Sequence, residues 1–364
     1  MRLLILLLMT ALAAHGAWSG YFLQTPASSQ VVSGPHTNFP VLIDLTDNHL
    51  KQIGGGGVVN DAQGDDVAPY SDATCTTLLP FELVAYDGTG GRWRAWVNVS
   101  SLSSSSNVYL CAGNSSQTTS LQNVSGTWNS GYGAVYHLGD ESTCGTAEST
   151  TNALTLTNTG TVSGATGKIY GACGSDFSIT KHLTRASNAA IVSSGSWTIS
   201  AWVNPNSCGA YSQVIFKGQN AKRNYELDIG NSDCKIRANM TQSGVEKTAT
   251  ATTAISTSTW SHIAGRYNGS NVQAFVNGTA DGTTSTTGSP DTDTSLLKIG
   301  VFENSGNYSV PFPGLIDEVR ISTVARSDGW ITTEYNTGTP STFWAATSWT
   351  SLSTATLRRR IFIQ

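Results

Sequence analysis

Two acidic residues in the segment NYELDIGN have a spacing that could serve glycoside hydrolysis. Glu226 and Asp228 differ by two positions, so a strand would place both side chains on one face. Retaining glycosidases use two carboxyl groups about 5 Å apart, and a strand supplies them when a further glutamate follows. Gly230 and Asn231 stand where that glutamate would be. The incomplete set favours polar residues on a strand surface over a catalytic site.

A third carboxylate, Asp317, lies in the apolar segment GLIDEVRIS. Period-two alternation predicts a core-facing set and an opposite set, namely Leu315, Asp317, Val319 and Ile321 against Ile316, Glu318 and Arg320. A buried ionised carboxylate needs a cation or several N–H donors. Two interpretations are open for Asp317: it accepts backbone N–H bonds that fix a neighbouring loop, or it ligates a calcium ion.

The composition predicts short strands joined by polar turns. The chain has 364 residues, of which 12% are charged and 37 are glycine. Ser, Thr and Asn fill the segments between apolar runs, so we expect an all-β protein, and the length suggests two domains. The formal net charge is −4 and the basic residues are scattered. A nucleic-acid partner is therefore not expected.

The N-terminus and the cysteines both indicate export. Residues 1–16 have the pattern of a signal peptide, and no later apolar run is long enough to cross a membrane. We therefore expect a secreted or surface-associated protein without membrane insertion. The six cysteines favour disulfides over zinc because C-x-x-C pairs are absent. Nearest-neighbour pairing closes loops of roughly 25 to 35 residues and predicts three bonds: Cys75–Cys111, Cys144–Cys173 and Cys208–Cys234.

Residues 20–125 have the pattern of an antiparallel β-sandwich module. In RWRAWVNV, one set of side chains alternates with another, as in a half-buried strand: Trp93, Ala95 and Val97 against Arg94, Trp96 and Asn98. The strings TNFPVLIDL, DDVAPYSDATCTTLLPFELVAYD and RWRAWVNVSSLSSSSNVYLCAGN resemble, in order and spacing, the exported domain-of-unknown-function 2341 family. That resemblance implies no activity. Cys75 and Cys111-Ala112 depart from the family pattern.

Residues 130–336 have the pattern of a double-sheet jelly roll. Short strands follow one another closely, and Asn268-Gly269 and Asn277-Gly278 predict type I′ hairpins. His137, near the start, is expected to be a hydrogen-bonded strand histidine. The strand SWTISAWVNP, the elements WSHIA and VNG, and GLIDEVRIS followed by ARS and EYN resemble laminin-G-like, concanavalin-A-like domains. The tail at 337–364 is either unstructured or begins another strand.

The laminin-G-like resemblance implies recognition as the function. Such domains bind glycans or protein surfaces through loops, often with calcium, so it implies a glycan, another surface polymer or a protein as partner, and a structural Ca²⁺ at Asp317. Tyr211 and Tyr308 lie in Gly/Ser-rich loops and are candidate sugar platforms, with ordinary loop packing as the alternative. A spacer without ligand and a glucan hydrolase are the other interpretations. Because G-x-S-x-G and H-E-x-x-H motifs are absent, we expect no enzyme activity.

Overall fold

The computed structural model describes residues 18–128, 131–140, 142–209, 211–219, 221–230 and 232–352. The predicted signal peptide at 1–16, Asn231 and the end of the tail at 353–364 lie outside these ranges. Strands predominate in the described part, and their sheets are antiparallel, which confirms the all-β fold. None of the helices in these ranges has the length and apolarity that a membrane crossing requires.

The first module is a sandwich of two sheets. Its elements are β1 (Gly20–Gln24), β2 (His36–Thr46), β3 (Val67–Tyr70), β4 (Phe81–Asp87), β5 (Arg92–Leu102), β6 (Val108–Ala112), α1 (Val124–Thr127) and 3₁₀ turns at Asn48–Leu50 and Ile53–Gly55. The sheets have the orders β2-β5-β4 and β1-β6-β3. Trp93 and Val97 of β5 pack in the core, but Arg94 and Trp96 on the opposite face are buried as well. The half-buried prediction for β5 was wrong because the second module covers this face.

The second module is the predicted jelly roll, with a 3₁₀ turn at Ala189–Ile191. Its strands are β7 (Tyr132–Tyr136), β8 (Gly139–Asp140), β9 (Thr143–Cys144), β10 (Thr157–Thr159), β11 (Gly164–Thr166), β12 (Gly171–Gly174), β13 (His182–Arg185), β14 (Trp197–Pro205), β15 (Ser212–Gln219), β16 (Lys222–Ile229), β17 (Lys235–Gln242), β18 (Val245–Ala254), β19 (Ser261–Tyr267), β20 (Asn271–Val276), β21 (Thr279–Ser285), β22 (Leu297–Ile299), β23 (Phe302–Asn304), β24 (Asn307–Ser309) and β25 (Gly314–Ser322). One sheet has the order β10-β13-β22-β15-β16-β17-β18. The other has the order β11-β12-β25-β14-β19-β20-β21, with β7 also paired to β25.

One of the two predicted type I′ turns forms. Asn277 and Gly278 have φ values of 48° and 77° and join β20 to β21, as this turn requires. Asn268, in contrast, has no positive φ. Its Oδ1 accepts the N–H groups of Ser270 at 3.0 Å and Asn271 at 2.8 Å, so its turn is held by the side chain instead.

A bulge in β25 changes the predicted faces of this strand. Glu318 has φ +53°, and the register with β14 shifts between Ser200 and Trp202. Ile316, Val319 and Ile321 therefore point into the core. The assignment of Leu315 and Asp317 to the core face was wrong: Asp317 lies opposite Trp202, on the face that meets the first module.

The C-terminal segment returns to the first module after the jelly roll ends. It forms α2 (Asp328–Thr337), α3 (Pro340–Phe343) and β26 (Trp349–Ser351), and β26 pairs with β1. Leu42 of β2 donates to Thr337 Oγ1 at 2.8 Å and accepts from Trp344 Nε1 at 2.8 Å. The part of the tail described here is thus ordered, and it extends a sheet of the first module.

Disulfides link loops to strands in both modules. The structure contains Cys75–Cys111, Cys144–Cys173 and Cys208–Cys234, which are the predicted pairs. In the first module, Cys111 lies in β6 and Cys75 in the loop before β4, so the bond fixes that loop against the sheet.

We expect Cys75→Ser combined with Cys111→Ser to lower the free energy of unfolding by about 3 to 4 kcal/mol. The disulfide closes a long loop and so restricts the conformations of the unfolded chain, and the double variant loses this effect. Urea unfolding of the oxidised protein and the double variant measures this difference. Equal stability of the two proteins would contradict the prediction.

Candidate functional site

A cleft of about 300 Å³ lies on the outer face of the sheet that contains β15, β16 and β17. Its lining comes from these strands, from β18, from the loop before β15 and from the β23–β24 hairpin with the residue that follows it. The lining residues are Tyr211, Ser212, Gln213, Arg223, Glu226, Asp228, Arg237, Glu246, Phe302, Ser309 and Val310. Acidic, basic, amide and aromatic side chains therefore meet in one concave surface.

Glu226 and Asp228 share the cleft face of β16, as alternation predicts. Tyr225, Leu227 and Ile229, between and beside them, are fully buried in the core. β16 ends at Ile229 and Gly230 follows it, so the described residues after Asp228 in this strand add no further carboxyl group to the pair.

Neighbouring side chains hold both carboxyl groups in place. Arg237 Nε lies 2.7 Å from Asp228 Oδ1, and Asn239 Nδ2 lies 2.9 Å from Asp228 Oδ2. Arg223 Nη1 is 3.1 Å from Glu226 Oε2 and 2.9 Å from Glu246 Oε2. The guanidinium groups are thus matched by carboxylates within the cleft.

Burial and the proximity of the two carboxyl groups shift their pKa values. Burial, followed by the charge of Asp228, raises the pKa of Glu226 to about 8. Burial also raises the pKa of Asp228, against the opposing effect of Arg237. The raised pKa favours the neutral form of Glu226, and Glu246 is then the carboxylate that balances Arg223.

Of the two tyrosines predicted as sugar platforms, Tyr211 lies in the cleft and Tyr308 does not. Tyr211 is 45% exposed, and the Arg237 guanidinium is 4.2 Å from the centre of its ring. Tyr308, on the β23–β24 hairpin, stacks instead on His182 at 4.2 Å between ring centres. The packing alternative thus describes Tyr308, whereas Tyr211 has an accessible ring.

Sequence reasoning missed the basic and amide residues of the cleft. Arg237 and Asn239 lie on one face of β17, and alternation in KIRANM could have grouped them. Their contact with Asp228 depends on the register of β16 and β17, which pairs Asp228 with Arg237. Nothing in a single sequence sets that register.

Asp317 fixes a loop at the junction between the modules. Its Oδ2 accepts the N–H of Ile169 at 2.9 Å, whereas Oδ1 has no hydrogen-bond partner among the described residues. Burial, followed by the charge of Glu318, raises its pKa well above the ordinary value. The described residues contain no group of three or more His, Cys, Asp or Glu side chains that could hold a metal, and calcium binding at Asp317 stays a prediction.

His137 connects the two modules through two carboxylates. Its Nδ1 is 2.6 Å from Glu318 Oε1, and its Nε2 is 3.1 Å from Glu82 Oε2 of the first module. Burial would lower the pKa of His137, but Glu318 and Glu82 outweigh this and raise it well above 6.5. In turn, although burial opposes it, His137 lowers the pKa of both glutamates. The histidine is thus hydrogen-bonded, as expected, and it is charged.

One protein family matches part of the sequence. Residues 177–332 match the model of the concanavalin A-like lectin/glucanases superfamily, which supports the laminin-G-like resemblance there. The resemblance of the first module to the domain-of-unknown-function 2341 family stays a prediction. No curated protein matches the chain in sequence. The fold defines a class: a β-sandwich module joined to a concanavalin-A-like jelly roll.

Several solved structures match about half of this chain. Domain 4 of AbnA, a GH43 extracellular arabinanase from Geobacillus stearothermophilus in complex with arabinotriose, is 22% identical with a TM-score of 0.44, covering 55% of this chain and 96% of that one. The botulinum neurotoxin serotype D ligand binding domain in complex with N-acetylneuraminic acid is 15% identical with a TM-score of 0.40, covering 52% and 47%. The native heptameric SAP-like pentraxin from Limulus polyphemus is 14% identical with a TM-score of 0.35, covering 43% and 79%. The match therefore spans about half the length of the toxin domain.

We expect Asp317→Ala to lower the free energy of unfolding by about 1 to 3 kcal/mol, because it leaves the buried N–H of Ile169 without an acceptor. Asp317→Asn keeps an acceptor and resembles the neutral carboxyl group, so it should lower the free energy of unfolding by less than Asp317→Ala does. Thermal scans with calcium and with a chelator test the calcium hypothesis on the same proteins. A calcium-dependent rise in Tm that is lost in both variants would contradict the loop-fixing role.

The His137 cluster should make stability depend on pH. A raised histidine pKa stabilises the folded state below about pH 6.5, and this contribution is lost as the pH rises through the folded-state pKa. The lowered pKa values of Glu82 and Glu318 stabilise it above about pH 4.5, and that contribution is lost as the pH falls. His137→Gln should lower the free energy of unfolding by about 3 kcal/mol near pH 6. It should also flatten the decline of this free energy above pH 6.5. Urea unfolding across pH measures both effects.

His182→Gln is the matched control, because burial lowers the pKa of this histidine and it lies away from the junction. It should keep the decline above pH 6.5. The same decline in His137→Gln would rule out the junction cluster as its cause.

Proposed function

We propose that the protein is secreted or surface-associated and binds a neutral saccharide in the cleft over Glu226 and Asp228. The exposed ring of Tyr211 carries this proposal. The Tyr211 ring lies against the Arg237 guanidinium, beside buried hydrogen-bonding groups of the cleft. The C–H face of a sugar ring packs on an exposed aromatic ring of this kind. The Cys208–Cys234 disulfide anchors the loop that precedes Tyr211.

The charges in the cleft favour a ligand without charge. Arg237 is paired with Asp228, and Arg223 is paired with Glu246. An anionic sugar would have to compete for guanidinium groups that are already engaged. A neutral sugar can instead use Glu226, Gln213 and the outer edges of the paired groups as hydrogen-bond partners.

Binding fits the carboxyl groups better than hydrolysis does. A retaining glycosidase holds its two carboxyl groups about 5 Å apart on either side of the scissile bond. Here Arg237 and Asn239 each bind one oxygen of Asp228, so this carboxylate is engaged by its neighbours and is poorly placed to act as a nucleophile. The matched family groups lectins with glucanases, and both act on saccharides, so the match supports the ligand class for either activity.

We expect Tyr211→Ala to weaken saccharide binding by about tenfold, because it removes the stacking surface. Binding to an array of neutral and acidic oligosaccharides gives the measurement. Tyr211→Phe keeps the ring and should bind as the wild type does. Tyr308→Ala is the matched control: its ring packs outside the cleft, so the variant should bind normally.

Equal losses in Tyr211→Ala and Tyr308→Ala would count against the cleft. Absence of binding by the wild type to every sugar on the array would favour a spacer without ligand. Release of reducing sugar that disappears in Glu226→Gln would instead make the protein a hydrolase.

A further inference from the structure

A groove follows β4 where the two modules meet. It consists of two cavities, of about 270 and 250 Å³, and Tyr170 contributes to the lining of both. Residues 82–84 of β4 line the first cavity, and residues 85–87 line the second. At roughly 3.3 Å per strand residue, the midpoints of these two segments, Leu83 and Tyr86, lie about 10 Å apart along the strand. That separation exceeds the width of one sugar ring, so an extended ligand is needed to occupy both.

Tyr170 is held in place between these cavities. The preceding residue, Ile169, donates to Asp317 in the jelly roll at 2.9 Å, and its carbonyl accepts from Arg94 of the first module. The Ile169 side chain is also buried in the core cluster of the first module. Gly167 allows this approach, because a Cβ there would lie 2.6 Å from Asp317 Oδ2. A ring fixed before binding loses little conformational entropy when a ligand stacks on it.

The ring of Tyr170 remains available beside a buried cation. Its side chain is partly exposed, and the Arg94 guanidinium lies 5.6 Å from the ring centre. Arg94 itself is only 7% exposed and lines the second cavity. The groove thus contains an aromatic surface and a buried, oriented donor group side by side, which is a typical arrangement for a small-molecule site.

Charged side chains along the groove are largely neutralised by their neighbours. In the first cavity, Glu82 is paired with His137 and accepts from Ser149 Oγ at 2.8 Å. In the second, Arg92 and Arg94 both bind Asp44, and Asp87 supplies a second carboxylate near Arg92. An ionic ligand would have to break these pairs, whereas a ligand with many neutral hydroxyl groups can bind alternating donors and acceptors without doing so.

We propose that this junction groove is a second saccharide-binding site, which takes a neutral oligosaccharide with a sugar unit on each side of Tyr170. β4 comes from the first module and Tyr170 from the second, so the site is complete only in the joined protein. The saccharide lies along β4, and the C–H face of its central part packs on the Tyr170 ring. This site is separate from the cleft that contains Tyr211.

The test compares neutral oligosaccharides of increasing length by titration calorimetry on the full chain. The probes are gluco-, xylo-, manno- and arabino-oligosaccharides, each with its monosaccharide. In Tyr211→Ala, which lacks the platform of the first cleft, we expect residual binding that strengthens with chain length. Adding Tyr170→Ala should weaken that residual binding by at least about tenfold and remove its dependence on length.

Tyr170→Phe is the matched control, because it keeps the ring and should keep the length dependence. Thermal unfolding of each variant shows whether the junction remains folded. Residual binding that is the same with and without Tyr170→Ala overturns the proposal, as does a Tyr211→Ala variant that binds no probe while the wild type does. In the latter case the Tyr211 cleft stands alone. Binding of extended peptides at the Tyr170 groove, without binding of any oligosaccharide, would also overturn the proposal.

Discussion

The two modules meet around a buried charge, the guanidinium of Arg320. It lies 3.0 Å from Glu318 Oε2 and 3.6 Å from Glu334 Oε1, and its carbon is 4.3 Å from the Trp96 ring centre and 4.9 Å from that of Trp128. A buried charge is costly unless it is paired, and a misplaced partner would leave it uncompensated. Although burial raises the pKa of Glu334, Arg320 and its other partners hold it at about 2, so this carboxylate stays ionised. We infer that the cluster fixes the relative position of the modules more than it adds net stability.

Alternation along a strand predicted what depends on local geometry. It placed Glu226 and Asp228 on one face of β16, because this strand has no bulge between them. Alternation failed to assign the faces of β25, because Glu318 has a positive φ that its residue type does not predict. In β5 it assigned the two faces correctly but not their burial, since the covering surface includes Arg320, far along the chain.

Contacts between strands separated in sequence limited the prediction of the site. Tyr211 and Tyr308 had the same sequence signal, an aromatic residue in a polar loop. Their different surroundings come from the partners that the fold supplies: Arg237 from β17 for one and His182 from β13 for the other. The cysteine pairs were predictable because each joins neighbouring cysteines within one module. The cleft was not, because its basic residues are set by sheet register.

The bulge at Glu318 links the failed face assignment to the proposed junction site. In a regular strand with the predicted faces, Asp317 would point into the apolar core and Glu318 away from it. The extra residue places Asp317 under the loop that carries Ile169 and Glu318 beside His137. One acceptor therefore fixes the base of Tyr170, and the other holds the histidine that lines the adjoining cavity. Because both positions follow from one backbone irregularity, the geometry of the groove depends on β25, a central strand of the jelly roll.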